Sequence, residues 1–563
     1  MPLVLNRSSF AAGRLLLTAG GLALAAQLFY FLFGLATWLD EGNYLYGATA
    51  FVRHGIKLYS ERLPCWYTPL YFVALGWWQE IAGLGLRPGR LFSVLCFCGA
   101  LGFLTTSFPE RKQPAAAYLW LAVLSPAVAL YHASVSQFAF VNLQIAALLW
   151  TLFHPGRLSR DLRWLAAGLL TGTILMTRPN YLLLLPLLMV AEVWLHGRPG
   201  PRSTGFFLAA LLGVSGLIVG IFGPGAFWNL IRTYPGAGGL ARVLGLTADP
   251  AVGPLDGADL GLRMQAWWAS RPETFRGIHE WFLEGVIWPY LPLLLANAFA
   301  LDRWRQRGFD RSPDAAMALL FFASVLLHFA ATQTFCRSCA LPYVNYSLIF
   351  GLAGGAPSAW DAANAFRQSL ADAFRDRTWL SWPTARALLI SALVLLPSVS
   401  AFTADGMYRK WIDFQTPAQV RTLAAALASA VPPEAEVLPL GMDIRLTEAI
   451  HLSGRLADPL LINYIFSLRD PMEADAVFSD EAQARIRARG LWTKELMRDW
   501  LRERHRHVLF REGGVIDLRC REILAERFDV RPLLPEAPPE SFSGSYRLAI
   551  RRTVSSTTIP TTP

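Results

Sequence analysis

Apolar runs near 15–36, 91–107, 114–132, 138–153, 164–177, 179–195, 204–222, 286–301, 315–331, 339–355 and 385–402 alternate with short polar connections along most of this chain. The first, Leu15 to Ala36, has no charged residue, and a bilayer crossing takes about 20 such residues. Each run predicts a membrane-spanning helix. Pro69 to Leu86 is also apolar, but Gln79, Glu80 and three glycines interrupt it, so it predicts a helix lying at the interface. With that segment excluded, one set of loops gathers Arg111/Lys112, Arg157/Arg160/Arg163, Arg198/Arg202, Arg303/Arg305/Arg307/Arg311 and Arg367/Arg375/Arg377/Arg386. Cytoplasmic loops carry such an excess, which predicts a cytosolic N-terminus. Arg7 and Arg14 precede the first run as in a signal peptide, yet the run exceeds an h-region of roughly 7–15 residues, so an uncleaved anchor is expected.

The expected fold class is an α-helical polytopic membrane protein of about eleven spans over 1–402, followed by a soluble α/β domain over 403–552. Three segments are expected outside: a loop at 37–89, a second at 223–285, and the C-terminal domain. In the second loop, pieces such as Leu260-Gly-Leu-Arg-Met-Gln-Ala-Trp-Trp268 suit the headgroup level. In the domain, Glu436-Val-Leu-Pro-Leu and His507-Val-Leu-Phe read as strands and Glu481 to His505 as a charged helix. Val554 to Pro563 is Ser/Thr/Pro-rich, and a disordered tail is expected over 553–563.

Composition agrees with the pattern. Of 563 residues 54% are hydrophobic and 16% charged, against about 45–50% and 25% in soluble domains. The net charge of +10 would suit nucleic acid, but the arginines sit in topology-setting loops, and no nucleic-acid partner is expected. Six cysteines make no disulfide framework in so long a chain. Cys96 and Cys98 lie in an apolar run; Cys336-Arg-Ser-Cys339 has redox spacing, but no second pair completes a zinc site. Arginine far outnumbers lysine, as in GC-rich bacterial genomes, so the expected location is a bacterial inner membrane with the outer loops facing the periplasm.

Candidate chemistry begins where the first span surfaces, at Trp38-Leu-Asp40-Glu41-Gly42-Asn-Tyr44. Carboxylates beside lipid are costly and invite a functional explanation; at a helix start they also suit the macrodipole, so a structural cap is the competing reading. Tyr44, Ala48, Phe51 and Val52 recur at helical spacing and predict an amphipathic surface helix that Gly55 ends. The loop continues through Arg53, Lys57, Leu58-Tyr59, Arg62 and Pro64-Cys-Trp66-Tyr67-Thr-Pro69 to Gly89-Arg90-Leu91.

The order of these residues resembles membrane glycosyltransferases of the GT-C fold, closest to the protein mannosyltransferase/aminoarabinose transferase branch. The resemblance covers about 1–402 and is strongest over 38–95. Further pieces are Gly168-Leu-Leu-Thr-Gly-Thr-Ile-Leu-Met-Thr177-Arg178-Pro179 and Cys336-Arg337-x-x-x-Leu341-Pro342-x-x-x-Tyr346. It implies transfer of a sugar from a polyprenyl-phosphate donor to a glycan, lipid or protein acceptor on the outer face. Asp40 is then the expected general base, with Glu41 orienting or supporting it. One carboxylate acting on the acceptor predicts inversion at the anomeric carbon. Arg53, Lys57, Arg62, Arg90, Arg178 and Arg337 are the candidates for the departing phosphate, though each alone also reads as a snorkelling anchor. Tyr44, Tyr59, Trp66, Tyr67 and Asn142 are candidate donor or acceptor contacts.

One departure stands out. Relatives often carry another acid after the third span, where this chain has His132-Ala-Ser-Val-Ser-Gln137-Phe-Ala-Phe-Val-Asn142. Hard divalent cations want several oxygen ligands, so no cofactor is expected and a divalent metal is disfavoured. His132 reads as a structural hydrogen-bonding residue. Two other functions stay open: a transporter or flippase of a lipid-linked precursor, and a binding-only relative acting through its C-terminal domain. Charges at span ends rather than mid-membrane speak against the first. The acids Asp443, Glu448 and Asp458 form no catalytic spacing that would support the second.

Overall fold

The computed structural model describes residues 7–34, 41–58, 68–108, 115–154, 158–178, 181, 184–223, 288–332, 345–375, 417–440, 444–457, 494–504, 506–512, 518–538 and 543–552. The run at 385–402, the outer loop from 224, residues 481–493 and the tail from 553 lie outside them.

The membrane part is helical: α1 Arg7–Gly34, α2 Glu41–Val52, α3 Leu70–Ala82, α4 Leu86–Ser107, α5 Ala115–Leu124, α6 Pro126–Ala133, α7 Gln137–Phe153, α8 Arg160–Thr177, α9 Leu184–His196, α10 Pro201–Phe222, α11 Leu291–Gln306, α12 Pro313–Thr332 and α13 Leu348–Arg375. Among the described residues three helical stretches are long and apolar enough to cross a bilayer: Leu16–Gly34, Leu86–Ser107 and Pro201–Phe222. The chain is a membrane protein. Side chains such as Leu212, Leu217 and Ile221 stand outward on α10, as a lipid-facing helix requires. α3 has 13 residues, about 20 Å of helix, too short for a crossing.

The run at 114–132 departs from expectation. It is not one straight span but the pair α5 and α6, bent by 87°. Pro126 opens α6; it has no N–H for the preceding turn, and its ring clashes with a continuing helix. The bend turns α6 inward, where all eight of its residues are buried. His132 Nδ1 lies 2.7 Å from the Val128 carbonyl. A carbonyl only accepts, so Nδ1 carries the proton and Nε2 accepts from Asn142 Nδ2 at 2.8 Å. That nitrogen also approaches the Asn345 carbonyl at 3.4 Å, and the Tyr290 hydroxyl donates to Asn345 Oδ1 at 3.1 Å. A polar thread thus joins α6, α7 and the segments ahead of α11 and α13 inside the apolar bundle.

Past the membrane helices, α14 Pro417–Ala430, β1 Glu436–Leu440, α15 Ile444–Leu452, β2 Leu456–Ala457, α16 Lys494–Glu503, β3 His507–Arg511, α17 Leu518–Arg527, β4 Phe528–Pro532 and β5 Tyr546–Arg551 form a second layered unit. The sheet order is β2-β1-β3-β5-β4. β1 pairs in parallel with β2 and β3, and β5 runs antiparallel between β3 and β4. Alternation sorts the strands into two faces. Val437, Leu509, Tyr546 and Leu548 face a core shared with α14 and α15, while Leu438, Leu440, Val508 and Ala549 face Leu501, Cys520 and Leu524 on the other side. The first core does not stop at the domain. It runs on through Leu45, Ala48, Tyr71, Leu75 and Leu86 of α2, α3 and α4, so the sheet unit and the loop bearing the acidic pair share one apolar interior.

Candidate functional site

The predicted surface helix after Asp40 is present, but not at the surface. Every residue from Glu41 to Ala50 is buried. Two faces of α2 explain this. Leu45, Ala48 and Val52 turn toward α3 and α4, where a Cβ on Gly76 would fall 2.6 Å from the Ala48 carbonyl oxygen, so the two backbones touch. Gly42, Tyr46, Thr49 and Arg53 recur along the adjoining face, and Gly42 and Tyr46 meet the C-terminal unit. The Tyr46 hydroxyl donates to the Ala457 carbonyl at 2.6 Å, and its ring stands edge-on to His451. Gly42 lies beneath Glu448: a Cβ there would come within 2.8 Å of the Glu448 Cβ and 3.1 Å of its backbone nitrogen. α2 ends as its sequence requires, with Gly55 at φ +62° and the Ile56 N–H returning to the Ala50 carbonyl.

The pair itself splits. Asp40 lies outside the described residues. Glu41, its neighbour, is the hub of a junction. Arg90 of α4 forks onto it, Nε to Oε1 at 2.9 Å and Nη2 to Oε2 at 2.7 Å. The same guanidinium donates through Nη1 to the Phe31 carbonyl near the end of α1. Glu41 Oε1 also accepts the Val135 N–H, from the turn between α6 and α7, at 2.8 Å. Both side chains are only 1% exposed. A charge pair removed from water is tolerable only when its geometry is this complete. Four segments distant in sequence are fixed to one another through two side chains.

The other candidates divide as follows. Arg90, expected at the departing phosphate, is buried, with donors to Glu41 and to the Phe31 carbonyl. Arg53 forks onto Glu80 of α3 at 2.9 and 3.1 Å, on an exposed surface. Lys57 is exposed. Arg178 is buried at the end of α8 and donates to Gln137 Oε1 at 2.9 Å, beside the turn that contacts Glu41. Asn142, a candidate donor or acceptor contact, is buried in the inner polar thread with His132 and Asn345. Tyr44 is buried edge-on against Tyr71, with ring centres 5.5 Å apart. Tyr59, Arg62, Trp66, Tyr67, Arg337, Cys336 and Cys339 lie outside the described residues. Among the described residues no three His, Cys, Asp or Glu side chains gather as a metal site.

Three residues near the pair were not among the site candidates read from the sequence, although Glu448 was weighed as an acid of the C-terminal domain. Asn43, in the first turn of α2, is buried, and neither of its amide atoms has a hydrogen-bond partner among the described residues. Its place three positions after Asp40 was the available signal. Glu448 and His451 belong to a helix some 400 positions away in the chain; their i, i+3 spacing on one side of α15 was legible, their destination beside α2 was not. Burial lowers the His451 pKa to about 4, and the charges of Arg53 and His54 push the same way.

No family model matches this chain, and no characterised protein is similar to it in sequence. Among solved structures it is similar to two crystal structures of ArnT from Cupriavidus metallidurans. One, bound to undecaprenyl phosphate, is 14% identical with a TM-score of 0.44. The other, in the apo state, is 13% identical with a TM-score of 0.45. Each likeness covers 96% of this chain and 98% of the other. Similarity at that level defines no chemistry, and the reading below rests on the chain's own residues.

Proposed function

We propose that this protein is a membrane glycosyltransferase that moves a sugar from a polyprenyl-phosphate donor to an envelope glycan, lipid or protein acceptor at the periplasmic face of a bacterial inner membrane. The observation that carries this reading is the Glu41–Arg90 junction. It anchors the residue next to Asp40 to α1, to α4 and to the α6–α7 turn, and a rigid neighbour is what a general base at position 40 requires. A reacting carboxylate has to be held within a few tenths of an ångström.

In the proposed reaction the Asp40 carboxylate accepts a proton from the acceptor hydroxyl or amine. The freed electron pair attacks the anomeric carbon from the face opposite the phosphate. The bond from that carbon to the phosphate oxygen breaks, and its electrons leave on polyprenyl phosphate, which gains negative charge. The sugar is inverted. Glu41 supports Asp40 without touching substrate. Arg62, Arg337, Lys57 and Arg178 are the proposed partners of the leaving phosphate; Arg90 is held by Glu41 within the frame and Arg53 by Glu80 at the surface. No metal is assigned to the step.

The test is Asp40→Asn in the full-length protein, reconstituted in lipid nanodiscs with a radiolabelled polyprenyl-phosphate sugar and an envelope extract as acceptor. Loss of at least about 100-fold in transfer is expected, with the thermal unfolding midpoint unchanged. Wild-type turnover by that variant would overturn the role of Asp40. Labelled lipid crossing the bilayer with no glycosidic product would replace the transferase by a transporter.

A further inference from the structure

A cleft of about 130 Å³ is lined by the end of α1, the α3–α4 turn and the start of α4, and the C-terminal unit. Its membrane side is apolar: Leu32 and Phe33 of α1, facing Leu452 of α15. Its polar groups are Arg87 at the start of α4, Arg421 of α14 and Glu448. The two arginines are exposed, and Glu448 is buried. Arg87 stands over the Phe33 ring, its guanidinium carbon 5.2 Å from the ring centre, and neither Arg87 nor Arg421 pairs with a carboxylate among the described residues. On the same helix as Phe33, Phe29 and Leu22 stand outward, so the apolar wall continues down a helix that enters the hydrocarbon.

Two guanidiniums at an interfacial mouth, an apolar wall leading into the bilayer and one buried carboxylate match a single class of ligand. Guanidiniums suit phosphate oxygens. The wall suits the glycerol and upper acyl carbons of a lipid rather than a free ion, and a carboxylate in the lining repels an anionic headgroup but attracts a primary ammonium. We propose that the cleft binds a bilayer phospholipid with a phosphoethanolamine headgroup, Arg87 and Arg421 holding the phosphate and Glu448 the ammonium. The lipid would bridge the membrane helices and the C-terminal unit at the point where α15 covers α2.

Native mass spectrometry of the full-length protein, released from nanodiscs of defined composition, tests this. With equal phosphatidylethanolamine, phosphatidylcholine and phosphatidylglycerol present, the expected result is one retained phosphatidylethanolamine, favoured about tenfold over either competitor. Arg87→Ala combined with Arg421→Ala should abolish that retention, and the double Lys variant should restore part of it. Glu448→Gln should keep a retained lipid but remove the preference for the primary amine. Millimolar inorganic phosphate should displace nothing. Equal retention of the three lipids, unchanged retention in the double Ala variant, or displacement by phosphate would each overturn the assignment. The readout needs no turnover, so Asp40→Asn should bind the lipid as the wild type does, and failure of the proposed reaction leaves this result standing on its own.

Discussion

Two faces of one short helix are built on opposite terms. At its first residue, Glu41 meets Arg90 in a fork, Arg90 also donates to the Phe31 carbonyl, and Glu41 also accepts the Val135 N–H. On the face turned to the C-terminal unit, Tyr46 finds the Ala457 carbonyl, but Thr49 Oγ1, Thr447 Oγ1 and His451 Nε2 are buried without a hydrogen-bond partner among the described residues. Each such group costs about 1–3 kcal/mol. The junction is therefore a frame in which removal of either partner strands a charge, while the seam is held by apolar burial against a polar cost. The first should fail abruptly and the second should be adjustable.

The largest effect is expected at the frame. Arg90→Ala leaves the Glu41 carboxylate buried without its guanidinium partner, and breaking such a pair typically costs about 3–5 kcal/mol. Thermal unfolding in detergent should show a much lowered midpoint for Arg90→Ala. Glu41→Gln combined with Arg90→Met, which removes both charges, should lose less than the two single variants together. Additive losses would mean that the two side chains do not act as one unit.

The seam should respond to acid instead. Burial, helped by Arg53 and His54, lowers the His451 pKa from 6.5 to about 4. The unfolded chain therefore takes up this proton first. The stability that neutral His451 contributes is whole above about pH 6.5, declines as the pH falls, and is gone below about 4. At about 1.4 kcal/mol per pH unit this reaches about 3 kcal/mol at the acid end. Unfolding midpoints of wild type and His451→Gln, compared between pH 7 and pH 4, should converge toward acid. Parallel curves would remove His451 from the seam's acid response.

How much of this was legible follows the same division. The apolar runs and the strands at 436–440 and 507–510 are local patterns, visible in any short window, whereas the run at 114–132 read as one span and its break at Pro126 did not show. The burial of α2 was not visible, because its cover, α15, is supplied by a stretch some 400 residues later, and no local period reports a long-range partner. For the same reason Arg90 read as a free cation: its carboxylate stands 49 positions away. Helices could be read from the chain, whereas ownership of charges required the tertiary structure.

Gly42 sits between the two regions, one residue past the frame and directly under Glu448, and so tests whether they are coupled. A methyl group there would press within 2.8 Å of the Glu448 Cβ and 3.1 Å of its backbone nitrogen, and backbone cannot swing aside as a flexible side chain can. Either α15 lifts or the start of α2 shifts. Overpacking of this kind costs about 1–3 kcal/mol, less than loss of the charge pair. If the seam is the adjustable region, Gly42→Ala should expose the α14–α15 segment to limited trypsin digestion, with cleavage beside Arg421 and Arg455, while the unfolding midpoint falls only modestly. If transfer by Gly42→Ala falls as steeply as in Asp40→Asn with no new cleavage, the strain has gone into the frame, and the seam is as rigid as the junction beside it.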